Sequence, residues 1–266
     1  MSWHRRHSTN AAFTSADAAA SRPICTGCAF GSMRQTNTNH LRDHRALPIH
    51  PGQQFALDAY TNTTRSYRHY KYCDILTDLA TGQSFPLLTT SRSAKELCKK
   101  MRIFLDMHPT WRTPTTPPTP RFVRVDPESN YNSELFLSLL NEYSYIVERT
   151  PPRDKHANGI AERAVGVIAA KTNVAMLAPT SNVPPKYWCL AMSYACTTQS
   201  FNYAPRIDDS PYHFTTGQHV DIKHLHPFWA RCYVHIPLKD SSSSCLHSTL
   251  CRLFIYIYII SELQCS

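Results

Sequence analysis

The stretch "FALDAY", Phe55–Tyr60, alternates in the way that decides the fold. Phe55, Leu57 and Ala59 fall on one face of an extended chain, and Asp58 falls on the other face. A period of two residues predicts a strand that has one side turned to the core. Asp58 is therefore an acid held inside a strand, which makes it a candidate functional residue.

The segments that follow extend this strand into a sheet with helices. "YKYCDILTDLATGQSFPLLTT" predicts two strands joined by a turn at "ATGQ". "SAKELCKKMRIFLDMH" has helical spacing with Ser93 as its N-cap. "RFVRVD" predicts a strand ending at Asp126, "NSELFLSLLNEYS" a helix, and "YIVER" a further strand. Three strands followed by alternating helices and strands predict an α/β fold with a mixed sheet flanked by helices.

A second acid-bearing segment, "DKHANGIAERAV", runs from an Asn158-Gly159 turn into a helix that carries Glu162 in its first turn. An acid at this position can simply stabilise the helix, because its negative charge interacts favourably with the positive end of the helix dipole. The predicted core side of the helix consists of Ala161, Ala164, Val165, Ile168, Thr172, Ala175 and Met176. Glu162 borders that side, and it shares its own face with Gly166 and Ala169, small residues over which a backbone or ligand can come close.

Asp58, Asp126 and Glu162 stand at positions that a mixed sheet and a covering helix can bring together, with 35 residues between Asp126 and Glu162. Converging carboxylates repel one another unless a cation neutralises them. Oxygen-only ligands suit Mg²⁺ or Mn²⁺. The three acids therefore form a candidate divalent-metal site.

The three acids and the words around them resemble the D,D-35-E catalytic core of retroviral and retrotransposon integrases. "NGIAER", "VPPKYWCLAMSYA", "SPYHFTTGQ" and "HLHPF" resemble the copia-type retrotransposon branch. The resemblance covers roughly residues 20–240. It implies a ribonuclease H-like fold with a five-stranded mixed sheet.

The resemblance also implies an activity and its residues. Asp58, Asp126 and Glu162 are expected to hold two Mg²⁺ or Mn²⁺ ions that serve 3′-end processing and the transfer of a donor DNA 3′-hydroxyl onto target DNA. Expected partners are DNA and further copies of the chain. The candidates for DNA contact are Lys155, Asn158, Arg163 and Lys171. Arg163 and Lys171 can equally be solvated helix charges.

Two features depart from the family pattern or compete with it. The family follows its second Asp as D-x-G-x-E-F, whereas "DPESNY" here places Asn130 and Tyr131 in the last two positions. Asp74 and Asp78, in the second strand and its turn, compete with Asp58 for the first position. Asp58 is preferred, because in the family an acid of the second strand is common and is not a ligand.

The N-terminal segment offers a candidate zinc site. Cys25 and Cys28 form a C-x-x-C pair, which needs two more ligands for tetrahedral Zn²⁺. The family has a His-His-Cys-Cys module, and His4 and His7 are the candidates here. The alternative is a decayed module with two free thiols, since the family spaces its histidines more widely.

Composition sets limits on the function. Of 266 residues, 28 are Lys or Arg and 19 are Asp or Glu, a net charge of +9 that favours a polyanionic partner. No apolar leader is visible and only one C-x-x-C pair occurs, which predicts an intracellular protein, in the nucleus when active. The longest apolar run, Leu253–Ile260, has eight residues, short of the roughly 20 that a membrane span needs.

We divide the chain into a degenerate zinc-binding segment (residues 1–45), a catalytic core (46–217) and a partly aberrant or disordered C-terminal segment (218–266). Two other functions stay open: an inactive transposon remnant that at most binds DNA, and a ribonuclease H-type nuclease on the same fold.

Overall fold

The computed structural model describes residues 50–109, 120–126, 130–149, 159–177 and 183–230. The strands are β1 (Gln54–Thr61), β2 (Tyr72–Asp78), β3 (Ser84–Thr89), β4 (Arg121–Val125) and β5 (Tyr145–Arg149). The α-helices are α1 (Ala94–Met107), α2 (Glu134–Glu142), α3 (Gly159–Met176), α4 (Trp188–Ser200) and α5 (Pro211–Thr216). Short 3₁₀ turns occupy Asn130–Asn132, Pro185–Tyr187 and Ile222–His224.

The five strands form one mixed sheet in the order β3-β2-β1-β4-β5. β1, β2 and β3 form an antiparallel meander, whereas β4 runs parallel to β1 and β5 runs parallel to β4. The predicted mixed five-stranded sheet is thereby confirmed. Its antiparallel part follows from the short turn between β2 and β3, and its parallel part from the helices that precede β4 and β5.

One face of the sheet packs against α1 and α2. Phe55 and Leu57 of β1 lie in this cluster with Met101 of α1 and Phe136 and Leu140 of α2, all buried. The rings of Phe55 and Phe104 meet edge to face, with centroids 5.7 Å apart. The alternation of β1 is thus the reason that Asp58 points to the other face.

That other face packs against α3 and α4. Ile75 of β2 lies in a buried cluster with Ile168 of α3 and Trp188 and Met192 of α4. Ala161 of α3 packs on Ala56 of β1, and both are 1% exposed. The core side predicted for α3 is confirmed, because Ala161, Ile168, Thr172 and Ala175 are buried.

Serine side chains set the beginnings of three helices. Ser93 Oγ accepts a hydrogen bond from the Glu96 amide at the start of α1, as the sequence predicts, and Ser133 caps α2 in the same way. Ser210 caps α5, which the sequence did not predict, and Gly217 ends that helix at φ 71°. A left-handed residue at this position favours glycine.

Residues after α5 continue to pack on the core. Phe228 is buried beside Ala191 of α4, and Tyr194 Oη donates a hydrogen bond to the His226 carbonyl. The predicted boundary at residue 217 stays a prediction, as does the one at residue 45. Residues 231–266, most of the segment predicted to be partly aberrant or disordered, lie outside the described residues.

Within the described part of the chain, no helix has the length and apolar character needed to cross a bilayer. The four cysteines described there, Cys73, Cys98, Cys189 and Cys196, are buried and free.

Candidate active site

Asp58 lies on the α3 side of the sheet, near the end of β1. It pairs in register with Ile75 of β2 and is partly buried. Its Oδ1 accepts a hydrogen bond from the Ala59 amide at 2.8 Å. The alternation predicted from "FALDAY" therefore places this carboxylate on the α3 face, opposite to Phe55 and Leu57.

Asp126 follows β4 on the same face. The β1–β4 ladder pairs Ala56 with Arg124, so the same parallel register continued by two residues brings Asp126 beside Asp58. Val123 and Val125 face the α1 and α2 core. Because side chains alternate along a strand, Arg124 and Asp126 face α3.

A polar network fixes the strands that carry these two acids. Arg124 is 5% exposed, and its Nε donates to Glu148 Oε2 of β5 at 3.1 Å. Gln54 Nε2 of β1 donates to the same carboxylate oxygen at 2.7 Å. Glu148 thus joins β1, β4 and β5 on the α3 face and sets the relative position of Asp58 and Asp126.

Glu162 comes from the first turn of α3. The neighbouring Ala161 packs on Ala56, two residues before Asp58 on the same face of β1. The Glu162 side chain is exposed at the border of that contact. Gly166 and Ala169, on the same side of α3, are only partly exposed, so the surface next to Glu162 is formed by small residues, as predicted.

The pKa of Asp58 responds to the two other acids. The pKa of Asp58 is raised mainly by burial; the hydrogen bond from Ala59 opposes the shift, and the charges of Glu162 and Asp126 add to it. Each acid makes it harder for Asp58 to ionise. This mutual repulsion is the behaviour expected of a site that a cation would stabilise.

The donor set fits a hard divalent ion in its chemistry, since all three side chains offer carboxylate oxygens. The spacing is wider than that of a finished metal site: among the described residues, no three His, Cys, Asp or Glu side chains are gathered closely enough to hold an ion. Both statements are compatible, because repulsion acts over longer distances than metal–ligand bonds do. Asp58, Asp126 and Glu162 thus share a neighbourhood without forming a closed ligand shell.

The chain is similar in sequence to a retrotransposon protein and in structure to a retroviral one. No family model matches the chain. A stretch of 133 residues is 27% identical to the retrovirus-related Pol polyprotein from transposon TNT 1-94 of Nicotiana tabacum, covering 47% of this chain and 10% of the polyprotein. A chain of the simian T-cell lymphotropic virus intasome, solved in complex with PP2A regulatory subunit B56 gamma, superposes with a TM-score of 0.53 at 14% identity, covering 68% of this chain and 60% of that one.

The described part of the chain therefore has a fold similar to that of this retroviral intasome chain. The ribonuclease H-like fold and the likeness to a retrotransposon Pol polyprotein that the sequence predicts are thereby confirmed. The catalytic core domain of the HTLV-2 integrase, solved with magnesium, has a TM-score of 0.47 at 15% identity over 62% of this chain and 97% of that one. The chain spans only about a tenth of the curated polyprotein that it matches.

The two acids that compete with Asp58 for the first position have other partners. Asp78 is fully buried, where its carboxylate accepts hydrogen bonds from the Gly52 amide at 3.0 Å and from Thr81 Oγ1 at 2.7 Å. Asp74 accepts a hydrogen bond from Tyr131 Oη at 2.6 Å. Asp78 stabilises the turn between β2 and β3, whereas Asp74 lies within electrostatic reach of Asp58.

Tyr131 is a residue of this site whose role sequence reasoning missed. It occupies the last position of "DPESNY", where the family pattern has Phe, and it is 2% exposed. Its hydroxyl needs a buried partner, and Asp74, 57 residues earlier, supplies it. A tyrosine in place of Phe together with an acid in the second strand was the available signal.

The predicted DNA contacts fall in different surroundings. Arg163 is exposed beside Glu162. Lys171 is partly buried, and its Nζ donates to Gln199 Oε1 of α4; burial lowers the pKa of this lysine. Lys155 and Asn158 lie outside the described residues, as do the zinc candidates His4, His7, Cys25 and Cys28.

Proposed function

We propose that the chain is an integrase-type polynucleotidyl transferase that joins the 3′-hydroxyl of a retrotransposon DNA end to a phosphodiester of target DNA. The observation that carries the proposal is the placement of three acids: Asp58 in β1, Asp126 directly after the parallel strand β4, and Glu162 at the start of the helix whose Ala161 packs on Ala56. The integrase-type fold and the similarity to a retrotransposon Pol polyprotein support it.

In this proposal Asp58, Asp126 and Glu162 hold Mg²⁺ or Mn²⁺. The bound ions supply activation of the attacking oxygen and stabilisation of the leaving oxygen. The protein supplies position: β1 and β4 fix two carboxylates through the Glu148 network, and the Ala56–Ala161 contact fixes the start of the helix that carries the third.

The surface of α3 next to the acids suits a DNA backbone. Gly166 and Ala169 leave room for close approach, and Arg163 presents an exposed guanidinium for a phosphate. Lys155 and Asn158 stay sequence-based candidates in the loop before α3. Lys171 is the weaker candidate, because its ammonium group is bonded between α3 and α4.

Two further expectations belong to this proposal. Integration joins two DNA molecules, so we propose that the chain acts as a homo-oligomer, as the family resemblance implies. Target DNA places the activity in the nucleus. The candidate zinc site at His4, His7, Cys25 and Cys28 would belong to an N-terminal module outside the catalytic core.

Strand transfer tests the proposal. The full chain is incubated with Mn²⁺, a labelled duplex that matches the terminal repeat of a related element, and plasmid target DNA. The expected result is label joined to the plasmid by the wild type and none joined by Glu162→Gln. Glu142→Gln serves as the control, because Glu142 is an exposed acid paired with Arg102 on α1, on the other face of the sheet.

Three results contradict the proposal or a part of it. Absence of joining by a folded wild-type chain supports an inactive remnant. Hydrolysis of an RNA–DNA hybrid without joining supports a ribonuclease H-type nuclease. Joining by Glu162→Gln at the wild-type rate would remove Glu162 from the site.

A further inference from the structure

The loop between β1 and β2 concentrates positive charge beside the candidate active site. Residues 62–71 read "NTTRSYRHYK" and contain Arg65, Arg68 and Lys71 with no acidic residue. Neighbouring cations repel one another, and this segment carries no acid to neutralise them. A loop that keeps such a composition is suited to a polyanion.

Hydrogen bonds hold the loop in one conformation. Ser66 is 4% exposed, and its Oγ accepts from the Tyr70 amide at 2.9 Å. Trp188 Nε1 of α4 donates to the Thr64 carbonyl at 2.8 Å, and the Tyr67 amide donates to the Lys186 carbonyl at 2.8 Å. The loop is therefore fixed to the beginning of α4, and its cations project from a defined backbone.

Two of the cations flank a pair of tyrosine rings. The Arg68 guanidinium lies 5.5 Å from the centroid of Tyr67, and Lys186 Nζ lies 5.4 Å from that of Tyr187. The two rings are themselves 5.3 Å apart. Each ring attracts its cation, so Arg68 and Lys186 are each held at one ring of the same tyrosine pair. Both side chains remain exposed.

Three more cations lie near two other tyrosines of the hairpin, Tyr70 and Tyr72. Lys71 and Arg92 approach the Tyr72 ring at 5.7 and 5.3 Å, and Lys100 approaches Tyr70 at 5.3 Å. Arg92 Nη2 also donates to Thr61 Oγ1 at 2.7 Å, at the end of β1. We call Arg68, Lys71, Arg92, Lys100 and Lys186 the hairpin-end cations.

Arg92 contacts Thr61 at the carboxyl end of β1, and Arg68 and Lys71 belong to the loop that leaves this end. Asp58 precedes Thr61 by three residues, a distance of about 10 Å along an extended strand. A duplex carries one phosphate about every 3.4 Å of helix axis on each strand. A duplex that reaches the acids therefore has phosphates within reach of this surface.

We infer that the hairpin-end cations bind the phosphate backbone of duplex DNA next to the three acids, without reading base sequence. The inference rests on the proposed function for its choice of DNA as the polyanion. The tyrosine faces are occupied by the protein's own cations, so they position charge and do not stack on bases. Binding through phosphates alone depends steeply on salt and little on sequence.

The test is the salt dependence of DNA binding by the full chain. Fluorescence anisotropy of a labelled random-sequence duplex is measured in EDTA between about 50 and 200 mM KCl. The slope of log K against log salt is negative, and each lost phosphate contact reduces its magnitude by about 0.9. The variant Arg68→Gln/Arg92→Gln/Lys186→Gln is therefore expected to reduce this magnitude by about 2.7. Arg68→Gln/Lys186→Gln, which keeps the Arg92–Thr61 hydrogen bond, is expected to lower it by about 1.8.

The control is Arg102→Gln/Arg121→Gln. These arginines also lie over tyrosine rings, those of Tyr143 and Tyr145, but away from the hairpin end. The inference is overturned if the wild type does not bind the duplex, or if the hairpin-end variants keep the wild-type slope or lose no more than the control. Strand transfer by the same preparations separates the two proposals. If the salt dependence requires these cations but no strand transfer occurs, the proposed enzyme activity is contradicted and the DNA-binding surface is supported. If strand transfer occurs and the variants keep the wild-type slope, only the DNA-binding surface is contradicted.

Discussion

Asp58 shows at the scale of one residue how the site is organised. It is partly buried in a strand, which raises its pKa, and two further acids raise that pKa again. A lone carboxylate in this place would destabilise the folded protein, because burial disfavours its charged form. Next to Asp126 and Glu162 the same carboxylate has a chemical use, because a divalent ion would favour the ionised forms of all three.

Removing the charge of Glu162 should lower the pKa of Asp58. The physical reason is that one of the charges opposing ionisation is gone, while the burial of Asp58 is unchanged. NMR titration of the Asp58 carboxyl carbon in metal-free Glu162→Gln measures the shift. Glu142→Gln should leave Asp58 as in the wild type, and an unchanged Asp58 in Glu162→Gln would show that the two acids do not interact.

Replacing Tyr131 by Phe should destabilise the protein at neutral pH. The partly buried Asp74 then loses the donor at 2.6 Å, at a cost of up to about 1–3 kcal/mol, the range for a buried group left unsatisfied. Burial raises the pKa of Asp74 and the Tyr131 hydrogen bond lowers it. The loss should therefore shrink as the pH falls toward 4 and Asp74 becomes protonated.

Urea unfolding of Tyr131→Phe at both pH values measures this effect. Tyr143→Phe is the matched control, since Tyr143 Oη also donates to an acid, Asp106, at 2.6 Å. Asp106 is exposed, so water replaces the lost donor and the cost should be smaller. Equal losses in the two variants would contradict the role given to burial.

At the scale of elements, the sequence predicted most of what positions the site. Alternation located β1 and the face of Asp58, and helical spacing located α1 and the buried side of α3. These elements follow local patterns, which a single sequence displays. The short α5 was missed because six residues contain too few turns to show a period.

Contacts between residues far apart in the sequence are the features that could not be predicted. Asp74 meets Tyr131 across 57 residues, and Trp188 holds the β1–β2 loop across 124 residues. Neither contact leaves a periodic trace in the chain. The sequence also could not decide the role of Lys171, because its position on α3 did not reveal that Gln199 of α4 would accept its hydrogen bond.

The turn between β2 and β3 should make stability depend on pH through Asp78. Burial raises the pKa of this carboxyl, although hydrogen bonds from Thr81 and Gly52 oppose the shift. The folded state thus keeps the proton to higher pH than the unfolded state, whose pKa is near 3.8. The stability from this group is present below that pH and is lost as pH rises through the folded pKa.

Asp78→Asn should remove this dependence. The difference in unfolding free energy between wild type and Asp78→Asn is measured by urea unfolding at several pH values from about 4 to 7. We expect the wild type to lose more stability than the variant as pH rises. A constant difference would contradict the account, and Asp106→Asn provides an exposed carboxyl for comparison.

The whole molecule combines a sheet with two helical layers and an uneven distribution of charge. The α1 and α2 layer contributes the larger apolar cluster, whereas the α3 and α4 layer covers the sheet face of Asp58 and Asp126, and α3 itself carries Glu162. Cations gather at the end of the β1–β2 hairpin beside those acids. Cations near an acidic centre are the arrangement that the proposed function calls for, because they would bring a polyanion to a metal site.

Equilibrium binding of Mn²⁺ by the full chain, measured by electron paramagnetic resonance, tests the central claim most directly. We predict that Asp58→Asn, Asp126→Asn and Glu162→Gln each weaken binding by at least 10- to 100-fold, roughly the loss caused by removing an outer partner of a metal ligand. Glu142→Gln should bind Mn²⁺ like the wild type. Unchanged Mn²⁺ affinity in any one of the three triad variants would contradict the claim that these carboxylates form a single metal site.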